Sequence, residues 1–173
     1  HQAATCNLSR SASSACWMDS RNQADGYRTF LIIERGNVRA YTRNGFDWTE
    51  RYASITKAAA KLACRSTIID GEVIVQNKNG ISDFDALKSA IRWRPQSLIF
   101  CAFDLLHVNG KDLRNAPLLE RRARLKEFIP TEHPFLFSEE FTGDAASFFG
   151  ACADHQLEGI VSKRIDRPYR SGP

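Results

Sequence analysis

The sequence predicts an α+β domain built on a substantially antiparallel sheet. Short apolar runs of strand length are bounded by turn residues. Between them lie segments whose apolar residues recur at helical spacing, and most of the joins are short turns. Phe30 to Ile33 and Val38 to Tyr41 are separated by Glu34-Arg35-Gly36-Asn37, which reads as a hairpin, and Asn44-Gly45 makes a further turn. From Thr49, the residues Tyr52, Ile55, Ala59 and Leu62 fall on one helical face, with Ala58 and Ala60 raising helix propensity.

Thr67 to Val75 reads as a strand interrupted by Asp70-Gly71-Glu72. Asn77 to Gly80 forms its turn, and Ser82 is placed to cap a helix ending near Arg92. Ser97 to Leu106 is the strongest strand, and its near-continuous apolar run predicts a buried, central position. Pro117 to Phe128 is a helix with proline near its first turn, offering Leu118, Leu119, Ala123 and Leu125 to one face. Phe135 to Ser138 and Gly159 to Ser162 are short strands, with a helix over Asp144 to Gln156 between them. Residues 1–16 are nearly all small or polar, so an irregular tail is expected there.

A chain of 173 residues has core enough for one domain without staples. The net charge of +4 and pI near 8.9 suit a polyanionic partner but do not require one. Five cysteines, odd in number and without a CxxC pair, read as reduced intracellular thiols. No apolar run approaches the roughly 18 residues that would cross a membrane. A phosphate loop of the GxxxxGK[ST] kind is absent, which argues against that class of nucleotide hydrolase. The run from His1 to Pro173 is read as a fragment or an incompletely ordered product.

Several acids and bases stand at the ends of apolar runs. Asp25-Gly26-Tyr27-Arg28 puts an acid, a permissive backbone position and a cation just before a strand. Arg28 can fork onto a phosphate or ribose hydroxyls. Glu72, in mid-strand, needs a cleft and a metal, ribose or base to meet it; a solvent-facing alternate position is the plain alternative. Phe103 can stack on a purine or simply fill core. Glu158 and Lys163 flank Gly159-Ile160-Val161-Ser162, and they can share a magnesium-phosphate site only if the strand is locally bent. Arg121, Arg122, Arg124 and Lys126 crowd one helix and, with Arg164, Arg167 and Arg170, could track a phosphate backbone or form a solvated face. Arg92 and Arg94 flank Trp93 with the same ambiguity.

Together, Asp25-Gly26-Tyr27-Arg28, Thr42-Arg43-Asn44-Gly45, Asp70-Gly71-Glu72, Phe103-Asp104-Leu105-Leu106, Glu158-Gly159-Ile160-Val161-Ser162-Lys163 and Pro168-Tyr169-Arg170-Ser171-Gly172 resemble the adenylation (nucleotidyltransferase) domain of ATP-dependent DNA ligases, most closely the bacterial end-joining kind. The resemblance spans residues 17–173. It implies an α+β, ATP-grasp-like nucleotidyltransferase fold with mainly antiparallel sheets and packed helices. Implied cofactors are ATP (as AMP) and Mg²⁺. The implied partners are nicked or broken double-stranded DNA and other repair proteins, with no membrane partner, in the bacterial cytoplasm at the nucleoid. In such ligases a lysine two residues before the Asp-Gly attacks the α-phosphate of ATP; AMP then passes to a DNA 5′-phosphate.

Carried over residue by residue, Asp25, Gly26 and Arg28 would line the nucleotide, with Arg28 at the ribose. Glu72 and Glu158 would serve ribose and metal, Phe103 would stack on adenine, and Lys163 would meet the α-phosphate. Arg43 would lie near the nucleotide or DNA, and Arg121, Arg122, Arg124 and Arg164 would face DNA. The departure is at the nucleophile, because Gln23 stands where the lysine belongs and Arg21 where an acid is usual. The final tryptophan–lysine motif and the oligonucleotide-binding domain are not found in this sequence. The resulting expectation is an adenylation domain impaired in its own adenylation. The alternatives are a replacement nucleophile, or a non-catalytic module that binds nucleotide or DNA.

Overall fold

In the computed structural model, residues 16–17, 26–138, 161–162 and 167–170 are described. Six strands form one sheet in the order β3-β2-β4-β5-β6, with β7 also paired to β5. β2 (Tyr27–Glu34) and β3 (Asn37–Thr42) make the expected hairpin. Its two-residue turn, Arg35-Gly36, has φ of 50° and 82°. Both central residues are left-handed, which matches the twist of the flanking strands. β4 (Ser66–Ile74) pairs antiparallel with β2 and with β5 (Ile99–Val108), and β6 (Lys111–Asp112) with the end of β5. β7 (Phe135–Phe137) runs parallel to β5, the exception to an otherwise antiparallel sheet. A separate two-stranded pairing joins β1 (Cys16–Trp17) to β8 (Val161–Ser162), so the expected tail ends in a strand.

Strand alternation divides the sheet into two faces. Thr29, Leu31 and Ile33 of β2, Ile69 and Val73 of β4, and Phe100, Ala102 and Leu105 of β5 are buried. The apolar members of this face share one core with Tyr52, Ile55 and Ala59 from α1 (Ala53–Ala59) and Leu87 and Ala90 from α2 (Phe84–Trp93). Tyr27 belongs to this side, its ring 5.0 Å from Trp48 and 5.6 Å from Phe84. Arg28, the next residue, therefore points to the other face.

Two local expectations change. The cap of α2 is Asp83, whose carboxylate accepts from the Ala86 amide at 2.8 Å; Ser82 is used instead in a bridge to Gln76. On α3 (Leu118–Phe128) the buried residues are Leu118, Arg121, Arg122 and Leu125, while Ala123 and Leu119 are exposed. The helix predicted over Asp144 to Gln156 lies outside the described residues.

Gly71 faces the core where β4 crosses β5. A Cβ there would sit 2.4 Å from Phe100 Cζ and 2.7 Å from the Cys101 carbonyl oxygen, so the two central strands pack at this distance only around glycine. Gly71→Ala is expected to cost about 1–3 kcal/mol by overpacking. Urea denaturation measures it, and an unchanged midpoint would contradict this close approach.

Candidate nucleotide site

The second face of the sheet carries charged side chains. Arg28 and Phe30 of β2 lie opposite Glu72 and Asp70 of β4, and Asp70 lies opposite Asp104 of β5. The last pairing depends on a bulge. Asp70 pairs with Asp104 but Gly71 with Ala102, so Phe103 is an extra residue in β5. In an unbroken strand Asp104 would share the core face of Phe100 and Ala102. The bulge brings it to Asp70's side and leaves Phe103 on that side too, with Arg28's guanidinium carbon 5.8 Å from its ring centroid.

Two carboxylates thus stand side by side in register, at 0% and 2% exposure. Like charges this close and this dry require counter-charges. Arg28 donates to Asp70 from Nε at 3.2 Å and from Nη2 at 2.8 Å. Arg121 donates to Asp104 from Nε at 2.7 Å and from Nη2 at 2.9 Å. Both are two-pronged forks, the geometry that fixes a guanidinium in orientation as well as in place. Asp70 is the first cause of an Arg28 pKa raised above its ordinary value, against the opposing effect of burial. Arg28 is thereby a permanent cation whose side chain is still 30% exposed.

Tyr169 closes the cluster. Its hydroxyl donates to Asp70 Oδ2 at 3.2 Å and accepts from Arg28 Nη2 at 3.4 Å. The Arg121 guanidinium carbon lies 5.9 Å from the Tyr169 ring centroid. Burial, with the Asp70 charge second, raises the phenol's pKa, so it remains a proton donor at neutral pH.

Of the residues expected at a site, Arg28, Glu72 and Phe103 are brought to one face, each half-buried. Arg43 joins them at the sheet end; its amide donates to the Arg28 carbonyl at 3.0 Å and its side chain is exposed. Gly26 packs closely against β4, where a Cβ would lie 2.4 Å from the Val73 carbonyl oxygen. Gln23, Asp25, Glu158, Lys163 and Arg164 lie outside the described residues.

Arg121 and Arg122 correct the expectation that they face DNA. They are 2% and 3% exposed. Arg122 donates to the carbonyls of Phe103 (2.8 Å) and Ser138 and lies over the Phe137 ring. Guanidinium groups enclosed in this way cannot follow a phosphate backbone. Arg124 is partly exposed and paired with Glu120 at 3.0 Å. Asp70, Asp104 and Tyr169 were not assigned site roles from sequence, although each lies in a quoted motif.

On this face Phe103 offers a half-buried aromatic ring and Arg28 a guanidinium held by Asp70. The carboxylates of Asp70 and Asp104 are held by arginines. Among the described residues no group of three His, Cys, Asp or Glu side chains is assembled to hold a metal. No described helix is long and apolar enough to cross a membrane.

The class defined by this fold and site is that of ATP-dependent DNA ligase domains. The family model described as "ATP dependent DNA ligase domain" matches residues 13–173, and the chain belongs to that family, of the bacterial LigD end-joining type. It is 40% identical over 150 residues to the multifunctional non-homologous end joining protein LigD of Pseudomonas aeruginosa, covering 85% of this chain and 18% of that protein. Against LigD of Mycobacterium bovis the identity is 32% over 148 residues, 86% of this chain and 19% of the relative. The chain therefore spans about a fifth of these relatives' length.

Among solved structures, the ligase domain of M. tuberculosis LigD superposes with a TM-score of 0.78 at 30% identity, covering 93% of this chain and 52% of that one. A mycobacterial DNA ligase D complexed with ATP and MES gives 0.77 at 29% identity, with the same coverage.

Truncating Arg121 would leave Asp104 buried beside Asp70 without its counter-charge. Arg121→Ala is expected to cost about 3–5 kcal/mol, whereas replacing both partners of the pair, Arg121→Met with Asp104→Leu, should cost much less. Equilibrium denaturation of the three proteins measures this. Equal losses for the single and double variants would show that the buried charge is not what the arginine compensates.

Proposed function

We propose that this chain is the adenylation domain of an end-joining ligase, binding ATP or AMP on the Arg28–Glu72–Phe103 face while lacking self-adenylation of its own. The observation that carries the binding half is the convergence of those three side chains on one sheet face around an arginine fixed by Asp70. On this reading adenine stacks on Phe103, Arg28 meets the ribose, and Glu72 serves the ribose and, with Glu158, the metal. Lys163 meets the α-phosphate. The nucleotidyltransferase fold would be ATP-grasp-like, working in the bacterial cytoplasm at the nucleoid with Mg²⁺ and broken or nicked duplex.

Gln23 carries the other half. A lysine amine, once deprotonated, has a lone pair that can form the P–N bond to the α-phosphorus as pyrophosphate leaves. The amide nitrogen of glutamine has its lone pair delocalised into the adjacent carbonyl and cannot do this. The same residue favours a second reading, a module that binds nucleotide or DNA without catalysis. DNA contact rests on Arg43, Arg124 and Arg164, since Arg121 and Arg122 are buried. So few groups imply non-specific affinity of roughly 10⁻⁴ to 10⁻⁶ M with a shallow salt dependence.

Incubation with radiolabelled ATP and Mg²⁺, followed by a denaturing gel, should leave the protein unlabelled, and calorimetry with millimolar AMP should show weak binding. A labelled band that survives denaturation would overturn the inactive-nucleophile reading. A flat AMP titration would overturn the nucleotide site.

A further inference from the structure

Resting on that nucleotide reading, we propose that Tyr169 is a positioning residue for nucleotide binding, fixing Arg28 in the orientation that meets the ribose. Three features of the cluster support this. Tyr169 touches both arginine–aspartate pairs, bonding Asp70 and Arg28 through its hydroxyl and lying against Arg121 through its ring. It reaches them from far along the chain, 141 residues from Arg28 and 99 from Asp70. Its backbone is held independently of the cluster's ionic bonds, since the Tyr169 amide donates to the Arg114 carbonyl at 2.7 Å. The Arg167 carbonyl also lies 3.5 Å from Arg121 Nη1.

The geometry gives the hydroxyl a specific task. Arg28 spends Nε and Nη2 on Asp70, and Nη2 also reaches the phenol. A hydroxyl that accepts from the arginine and donates to the same carboxylate closes a three-membered ring of polar contacts and resists rotation of the guanidinium plane. Phe30 and Phe103 lie against the Arg28 guanidinium, each ring centroid 5.8 Å away, and give it no further hydrogen bond. Loss of the Tyr169 hydroxyl would leave the Arg28–Asp70 charge pair in place but let the fork swing, so the effect should fall on nucleotide affinity more than on folding.

The test is a double-mutant cycle on AMP affinity, read by calorimetry in the full chain, with Tyr169→Phe, Arg28→Lys and both together. Tyr169→Phe alone should weaken AMP binding by about five- to tenfold, the range of one lost hydrogen bond. In the Arg28→Lys background the same change should have less than about a twofold effect, because there is no guanidinium left to position. Equal losses in both backgrounds, no loss in the native background, or a Tyr169→Phe protein that does not fold would each overturn the proposal. Absence of AMP binding by the unsubstituted chain would overturn the nucleotide reading itself, an outcome distinct from the other three.

Discussion

Two neighbouring buried carboxylates, Asp70 on β4 and Asp104 on β5, set the terms for the rest of this structure. Residues directly opposite in an antiparallel pair stand about 4.5–5.5 Å apart at Cα, so their charges repel strongly in a dry interior. Each is held by its own arginine, brought from a different element: Arg28 from β2 and Arg121 from α3. The helix is thus fixed to the sheet by a charge pair as well as by Leu125, and the β2 arginine is fixed to β4. The segment around residue 169 is fixed to both. Such an arrangement is weak evidence for extra stability, since desolvation offsets most of the attraction. What it secures is orientation: two forked guanidinium groups in defined planes beside a half-buried aromatic ring.

The strands and turns of this arrangement were legible from sequence because they depend on local signals. The hairpin around Arg35-Gly36 and the buried central strand through Phe103-Asp104 appear close to where apolar runs and turn residues place them, whereas the strand expected to be interrupted at Asp70-Gly71-Glu72 is continuous from Ser66 to Ile74. The bulge at Phe103 was not legible. Simple alternation puts Asp104 with Phe100 and Ala102 on the core face, and only the register against β4 reveals that it is turned to the other side.

The arginines of α3 depart from the sequence expectation for a different reason. A cluster of basic residues on a helix suggests a solvated or DNA-facing surface, yet Leu118, Arg121, Arg122 and Leu125 are spaced i, i+3, i+4 and i+7. That is the spacing of a buried stripe, with two arginines in its middle. Buried arginines on such a stripe require buried acceptors elsewhere. Asp104, in an otherwise apolar strand, is one, and the carbonyls of Phe103 and Ser138 are others. At Gly26 a Cβ would meet the neighbouring strand, a close approach that only the pairing of β2 with β4 reveals.

On the proposed reading, the ionic cluster orients Arg28 and, with Phe103, defines where a nucleotide binds. A crystal structure of this chain grown with millimolar AMP tests it most directly. The account predicts adenine against the Phe103 ring and ribose hydroxyls within hydrogen-bond distance of Arg28, with the Arg28–Asp70–Tyr169 contacts unbroken. AMP bound elsewhere, for example in the cleft of about 840 Å³ between the β2–β3 hairpin and residues 47–51, or Arg28 detached from Asp70 to reach it, would contradict the account.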